Sequence, residues 1–202
     1  MHMEKLEVGD TLQFKGPLGE FVFECDAPSA DNPTFTELGK PKTPYKSLGL
    51  IAGGSGITPC LMVAEAVVAA DLDVAVHVLC ANKTPADVLC GPELAQLAKD
   101  PRIHVWHTVS KATGDGWAFS TGRIDERMLR EHMPPPGALS HVFMCGPPGM
   151  IDEACKPNLK RLGFEDSQGE ENAIAAATDL QYKMATESRS FPGPGNRSEE
   201  HT

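Results

Sequence analysis

The sequence predicts an α/β protein built on a doubly wound parallel sheet, and three observations lead there. Apolar runs of strand length alternate with segments of helical period between residues 46 and 164. The run from Asp73 to Ala81 is apolar on both faces, as a strand inside a parallel sheet is. Two glycine-rich turns each follow a run of this kind. Gly53-Gly54-Ser55-Gly56-Ile57-Thr58-Pro59 follows Leu48 to Ala52, and Cys145-Gly146-Pro147-Pro148-Gly149 follows His141 to Met144. Such turns at the carboxyl ends of neighbouring parallel strands line a crevice that holds a dinucleotide.

The elements follow in chain order. Leu6 to Phe23 reads as a β-hairpin, because Leu12 and Phe14 alternate with Thr11, Gln13 and Lys15 and Gly16-Pro17-Leu18-Gly19 turns the chain. Cys25 to Tyr45 is rich in Pro, Asp, Lys and Thr, lacks a period, and reads as a linker. Leu48 to Ala52 starts the alternating unit. Thr58 is expected to cap the next helix with Pro59 in its first position, and Leu61, Met62, Glu65, Val68 and Ala69 keep a helical spacing. Asp73 to Ala81 is the second strand, Pro92 to Lys99 a short helix, and Arg102 to Val109 the third strand. Lys111 to Gly122 is a polar loop. Asp125 caps a helix that reaches His132 and is stopped by Pro134-Pro135-Pro136. His141 to Cys145 is the fourth strand. Met150 to Leu162 is a helix expected to bend at Pro157.

From Glu165 the character changes. Acidic residues cluster at Glu165, Asp166, Glu170 and Glu171; Ala173 to Ala185 is expected to be helical, and Ser188 to Thr202 to be disordered. The expected organisation is therefore residues 1–45 as a hairpin plus linker, 46–164 as the nucleotide unit and 165–202 as an acidic, disordered tail.

Composition narrows the function. The 202 residues include 18 Lys and Arg against 28 Asp and Glu, a formal charge of −10. Nucleic-acid surfaces need concentrated positive charge, so that class is excluded, and docking on anionic lipid is disfavoured. No apolar run approaches the ~20 residues that span a bilayer, and the first residues carry no apolar signal core. The cysteines, Cys25, Cys60, Cys80, Cys90, Cys145 and Cys155, form no Cys-x-x-Cys pair and lie mostly in apolar segments. They read as reduced thiols of a cytoplasmic protein. No metal site is expected: His104 and His107 sit three apart on a strand and point to opposite faces.

The turns carry the chemistry. A pyrophosphate needs backbone N–H donors and the positive end of a helix. Gly53, Gly54 and Gly56 leave room for close approach, and Ser55 adds a hydroxyl. The spacing from Gly54 is G-x-G-x-x-P, and no Gly-Lys-Ser/Thr follows, which excludes a phosphate-binding NTPase loop. A nucleophile elbow at Ser55 would need glycine two places on either side, and Ile57 breaks that rule. Any one glycine turn is most simply a tight strand-to-helix connection. The second turn, with Gly146 and the rigid Pro147-Pro148 pair, makes a shared crevice the better reading.

These residues resemble the NAD-binding half of the cytochrome b5 reductase family, a module that also ends the assimilatory nitrate reductases. The resemblance rests on Gly53 to Pro59, on Ala81-Asn82-Lys83-Thr84 with Asp87, and on Cys145 to Met150. Pro92-Glu93-Leu94, Gly116-Trp117, Ser120-Thr121-Gly122 and Arg130-Glu131-His132 fit the same pattern. It implies a ferredoxin-reductase-type nucleotide domain and a remnant hairpin of an N-terminal flavin-binding β-barrel. It also implies an oxidoreductase that passes hydride from NADH to FAD and electrons on to a haem or cytochrome b5-like acceptor, with NADPH a lesser donor. Carried over by motif, Gly53, Gly54 and Ser55 lie along the dinucleotide, Thr58 faces the flavin, Gly56, Pro59, Gly146 and Pro147 join the cofactor-binding set, and Cys145 borders the nicotinamide without acting as a nucleophile. Asp87 lies near the adenosine ribose and disfavours a 2′-phosphate, and Lys83 is placed to soften that preference. The family's Arg-x-Tyr-Thr/Ser and Gly-x-Met-Ser flavin motifs are not in the sequence, so the chain reads as part of a longer flavoenzyme. A fragment that binds NADH without turnover is the alternative.

Overall fold

The structure, a computed structural model, describes residues 21–24, 32–37, 41–111, 116–166, 173–176 and 180–183. Most of the expected hairpin from Leu6, and the segment from Ser188, lie outside these residues. Two sheets organise what is described. Strands β1 (Phe21–Glu24), β2 (Thr34–Glu37) and β3 (Lys42–Pro44) form an antiparallel meander. The remaining units are β4 (Ser47–Gly53), α1 (Ile57–Ala69), β5 (Ala75–Asn82), α2 (Gly91–Leu97), β6 (Ile103–Val109), β7 (Ser120–Thr121), α3 (Glu126–His132) and β8 (Ser140–Cys145). A π-helix over Gly149–Cys155 runs directly into α4 (Lys156–Arg161), and β9 (Glu165–Asp166), β10 (Ala173–Ala176) and β11 (Leu180–Lys183) follow.

The larger sheet has the order β7-β6-β5-β4-β8-β10-β9, and its pairings are parallel. The predicted double winding is visible in β4. Leu48, Leu50 and Ala52 bury on the face covered by α1, while Ile51 buries on the other with Leu129, Met133 and Leu159. A strand apolar on both faces is stable only where helices cover both, so the continuous apolar runs dictate the two layers. The meander joins this core through aromatic rings. Phe23 and Phe35 each stand 5.0 Å from Phe143 of β8, edge-on. His141, buried beside them, lies 3.1 Å through Nε2 from the carbonyl of Pro44 in β3.

Several expectations are corrected. The segment from Cys25 to Tyr45 is not only a linker, because it holds β2 and β3; Phe35 and Tyr45 are the buried side chains that its mixed composition hides. The polar loop from Lys111 to Gly122 contributes β7, which pairs with β6 at Thr108 and Val109. The helix expected over Ala173 to Ala185 is instead β10 and β11, so the tail is not wholly without structure. Ala-Ile-Ala-Ala extends the open edge beside β8, and Leu180–Lys183 pairs with β1. Edge pairing overrides the helix propensity of alanine there. The segment expected as one helix from Met150 to Leu162 is a π-helix that passes into α4, and Pro157, which has no N–H to give, stands at that junction as the second residue of α4. Asp125 does cap α3, accepting from the Met128 N–H at 2.8 Å.

Burial holds the imidazoles of His77, His107, His132 and His141 below the ordinary 6.5, with neighbouring His104 adding to the effect at His77. Each favours the neutral ring when folded, so the unfolded chain binds more protons as pH falls below 6.5. Asp100, held at about 2 chiefly by its hydrogen bond from Arg102, stays ionised through that window. The urea midpoint should therefore be lower at about pH 5.5 than at about pH 7.5; an equal or higher midpoint at the acid value contradicts this account of the histidines.

Candidate nucleotide-binding site

Chain order and spatial order part company at one place in the larger sheet. From β4 the chain moves outward through β5 and β6 to β7, then returns to place β8 on the opposite side of β4. The carboxyl ends of β4 and β8 are thus neighbours at a switch point, where the helices leaving the two strands diverge and open a crevice. Register pairs Ala52 directly with Cys145, so the two glycine turns leave the sheet side by side.

Their contact is backbone against backbone. A Cβ on Gly56 would lie 2.0 Å from the Cys145 carbonyl oxygen. One on Gly146 would lie 3.0 Å from the Cα and N of Gly53, and one on Gly53 would lie 2.7 Å from Pro147 Cδ. Three of the glycines therefore serve the fit between the turns. Gly54 differs: its φ is +55° and an added Cβ would meet nothing within 4 Å. It is the glycine that keeps open space at the mouth. Access for a ligand, expected of every glycine in the first turn, is thus the part of Gly54, and packing between the turns accounts for Gly53 and Gly56.

The first turn tightens into a short 3₁₀ segment, Gly54–Gly56, before α1 begins at Ile57. Thr58 is accordingly not the cap. Gly56 holds that position, Thr58 is the second helical residue, and its hydroxyl donates to the Ser55 carbonyl at 3.1 Å. Pro59 is third, still among the residues whose N–H has no helical partner. No side chain caps α1 and its first turn carries no acid, so its N-terminal donors and dipole remain directed at whatever anion occupies the crevice.

A cavity of about 650 Å³ opens over these turns. Of the predicted residues, Gly53, Gly54, Ser55, Asp87 and Pro147 line it. Gly56, Gly146 and Cys145 lie in the contact between the turns, and Thr58 and Pro59 in the first turn of α1. Cys145 ends β8 and is half-buried. Burial pushes the thiols of Cys60, Cys80 and Cys155 up, which keeps them protonated, and none of the five described cysteines is joined in a disulfide. Asp87 accepts from the Thr84 N–H at 2.9 Å and from the Thr84 hydroxyl at 2.7 Å, both at Oδ2. Asn82, Ser110, Arg123 and Met150 also line the cavity and were not assigned from the sequence. The signal available for Asn82, Ser110 and Arg123 was positional: each sits at or just past the carboxyl end of a strand, on the side where such sheets bind ligands.

The fit to a dinucleotide is good on this geometry: uncapped helix donors, one open glycine and an adjoining cavity of ligand size. Phe23, Phe35 and Tyr45, the rings at the meander, are buried in the core.

Residues 50–156 match the family model described as the oxidoreductase NAD-binding domain. The chain belongs to this family. The match encloses both turns and the strands that carry them. Among relatives, NADH-cytochrome b5 reductase 3 of Rattus norvegicus is 41% identical over 171 residues, covering 80% of this chain and 54% of that protein. The NADH nitrate reductase of Volvox carteri is 37% identical over 171 residues, covering 83% of this chain and 19% of its own. The crystal structure of the cytochrome b5 reductase domain of Ulva prolifera nitrate reductase superposes with a TM-score of 0.75 at 34% identity, covering 86% of this chain and 63% of that one. The chain thus spans about half the length of the rat relative and a smaller part of the Volvox one. That likeness agrees with the ferredoxin-reductase-type fold.

The glycines separate two roles by experiment. Gly56→Ala should cost about 3 kcal/mol, since backbone and not a movable side chain blocks the methyl. Gly54→Ala should cost about 1 kcal/mol, the strain of a left-handed alanine in open space. Urea denaturation of both variants checks the order, and equal losses contradict it.

Proposed function

We propose that the chain is the nucleotide-binding part of an NADH-dependent flavin oxidoreductase. The observation that carries this reading is the meeting of the two glycine turns at the switch point, beside a cavity of dinucleotide size. The relatives' names supply the rest: NADH as donor, with cytochrome b5 or nitrate reduction downstream. FAD is a cofactor of this family and belongs to the complete module.

When bound, the reduced nicotinamide supplies a hydride. The chain's own residues hold and aim it. The N–H groups at the start of α1 and the backbone of Gly54 and Ser55 grip the diphosphate. Cys145, at the end of β8, would border the ring and orient it, as the resemblance implies, a positional role that needs no thiolate. Asp87 stands at the adenosine end. Catalysis on this plan comes from orientation and proximity more than from proton transfer. No step is assigned to a flavin.

Fluorescence titration of the full chain with NADH tests the proposal. Saturable binding is expected, weakened roughly tenfold or more by Gly54→Val, which places a branched side chain in the open mouth. No binding, or an unaltered affinity in the variant, contradicts it. Ferricyanide reduction by NADH with added FAD then separates an active module from a binding fragment.

A further inference from the structure

A second cavity, of about 380 Å³, lies apart from the nucleotide site. Three of the chain's seven histidines meet in it: His77 of β5, His104 of β6 and His132 at the end of α3, with Trp106 and Glu131 beside them. Register pairs His77 with His104, and their rings stand 4.7 Å apart. His132 lies flat on Trp106, with ring centroids 4.1 Å apart and planes 13° from parallel. Trp106 is fixed in turn, its indole N–H donating to the Ser120 hydroxyl at 2.9 Å. His77 approaches the backbone of His132, so the end of α3 is seated on side chains from two strands.

This seat suits neutral rings. Burial disfavours the charged forms of His77 and His132, and His104 adds to the effect at His77. The charged groups around the cavity offer little relief. From α3 come Glu131, 3.8 Å from His132, and Arg127, which donates to Glu131 at 3.0 Å. The end of α2 borders the cavity with the uncharged Ala98, and Arg102, before the lining residue Ile103, is held by Asp100 and Asp71. Glu131 and the indole face can hold one imidazolium. A second, on His77 or His104, has no acid left to meet it.

Helix α3 ties the seat to the nucleotide cavity. It has seven residues, about 10 Å of helix, and Arg123 and Ile124 just before it line the nucleotide cavity. Ile124, Leu129 and Met133 are buried in one cluster, so the two ends move as one body. Resting on the nucleotide reading above, we propose that His77, His104 and His132 form an acid switch: protons entering their cavity unseat the end of α3, Arg123 and Ile124 shift at its start, and the nucleotide is held less tightly. Linkage sets the sign. The unseated state opens the rings to water and binds more protons than the seated one, so a fall in pH favours it. A nucleotide that binds the seated state opposes it by the same factor.

Calorimetric titration of the full chain with ADP-ribose at about pH 7.5 and at about pH 5.5 tests the switch without any redox readout. Neither phosphate of ADP-ribose changes its charge over that interval, and none of the residues lining the nucleotide cavity is a histidine. Affinity should fall about fivefold or more at the acid value, while far-UV circular dichroism stays the same. His132→Gln and His104→Gln keep an uncharged polar side chain, and His104 is exposed, so that variant keeps the fold. Each should remove most of the pH dependence and leave the affinity at about pH 7.5 within roughly twofold. Saturating ADP-ribose should, reciprocally, move the titration of the His132 ring, followed by NMR, to lower pH. An affinity in the parent chain that ignores pH overturns the switch, as does an acid loss that both variants keep or a ring titration indifferent to the ligand. If ADP-ribose binds equally at both pH values, only the switch fails. If it binds at neither, the nucleotide reading has failed and the switch falls with it.

Discussion

Gly56 lies so close to the carbonyl of Cys145 that no side chain fits between them, and Gly146 packs against Gly53 and Met150 with less than ordinary room for a Cβ. This contact fixes the distance between two strand-to-helix turns. It also requires the parallel pairing of β4 with β8, since Ala52 and Cys145 must leave the sheet in register. The pairing in turn requires β8 to return across the sheet, and that return creates the switch point. The cavity, the uncapped start of α1 and the position of Cys145 all follow from one close approach of backbone to backbone.

The larger sheet was legible in the sequence because its strands are long, apolar on both faces and punctuated by glycine. Leu48 to Ala52 and Asp73 to Ala81 have few alternatives once both faces must be covered. Of the meander only β1 was legible, in the strand read as ending at Phe23. Its β2 and β3 are short, and their hold on the core comes from Phe35 and Tyr45 meeting Phe23 and Phe143, residues remote in sequence. β10 was misread for a related reason: Ala-Ile-Ala-Ala has a local preference for helix, and only the open edge beside β8 makes it a strand. The start of α1 was placed too late because Thr58 looks like a cap, whereas its hydroxyl turns back to Ser55 inside the helix.

The site was half legible. The turns announced themselves by composition, and Asp87 by resemblance. Arg123 and Ser110 carry no motif; what places them at the cavity is the pairing of strand ends around Val109, a fact of register and not of residue type. The glycines were found for an incomplete reason. Phosphate access explains Gly54, while Gly53, Gly56 and Gly146 answer to the fit between turns. Polar residues on the far wall, Asn82 and Ser110 among them, line the same cavity and take no part in the contact on which the fold depends.

The central claim is that both turns grip one ligand. Amide chemical shifts of the full chain, followed by NMR during titration with ADP-ribose, test it most directly. The account predicts that Gly54, Ser55 and Ile57 move together with Gly149 and Met150 at a single midpoint. Shifts confined to one turn, or centred away from both, would contradict it.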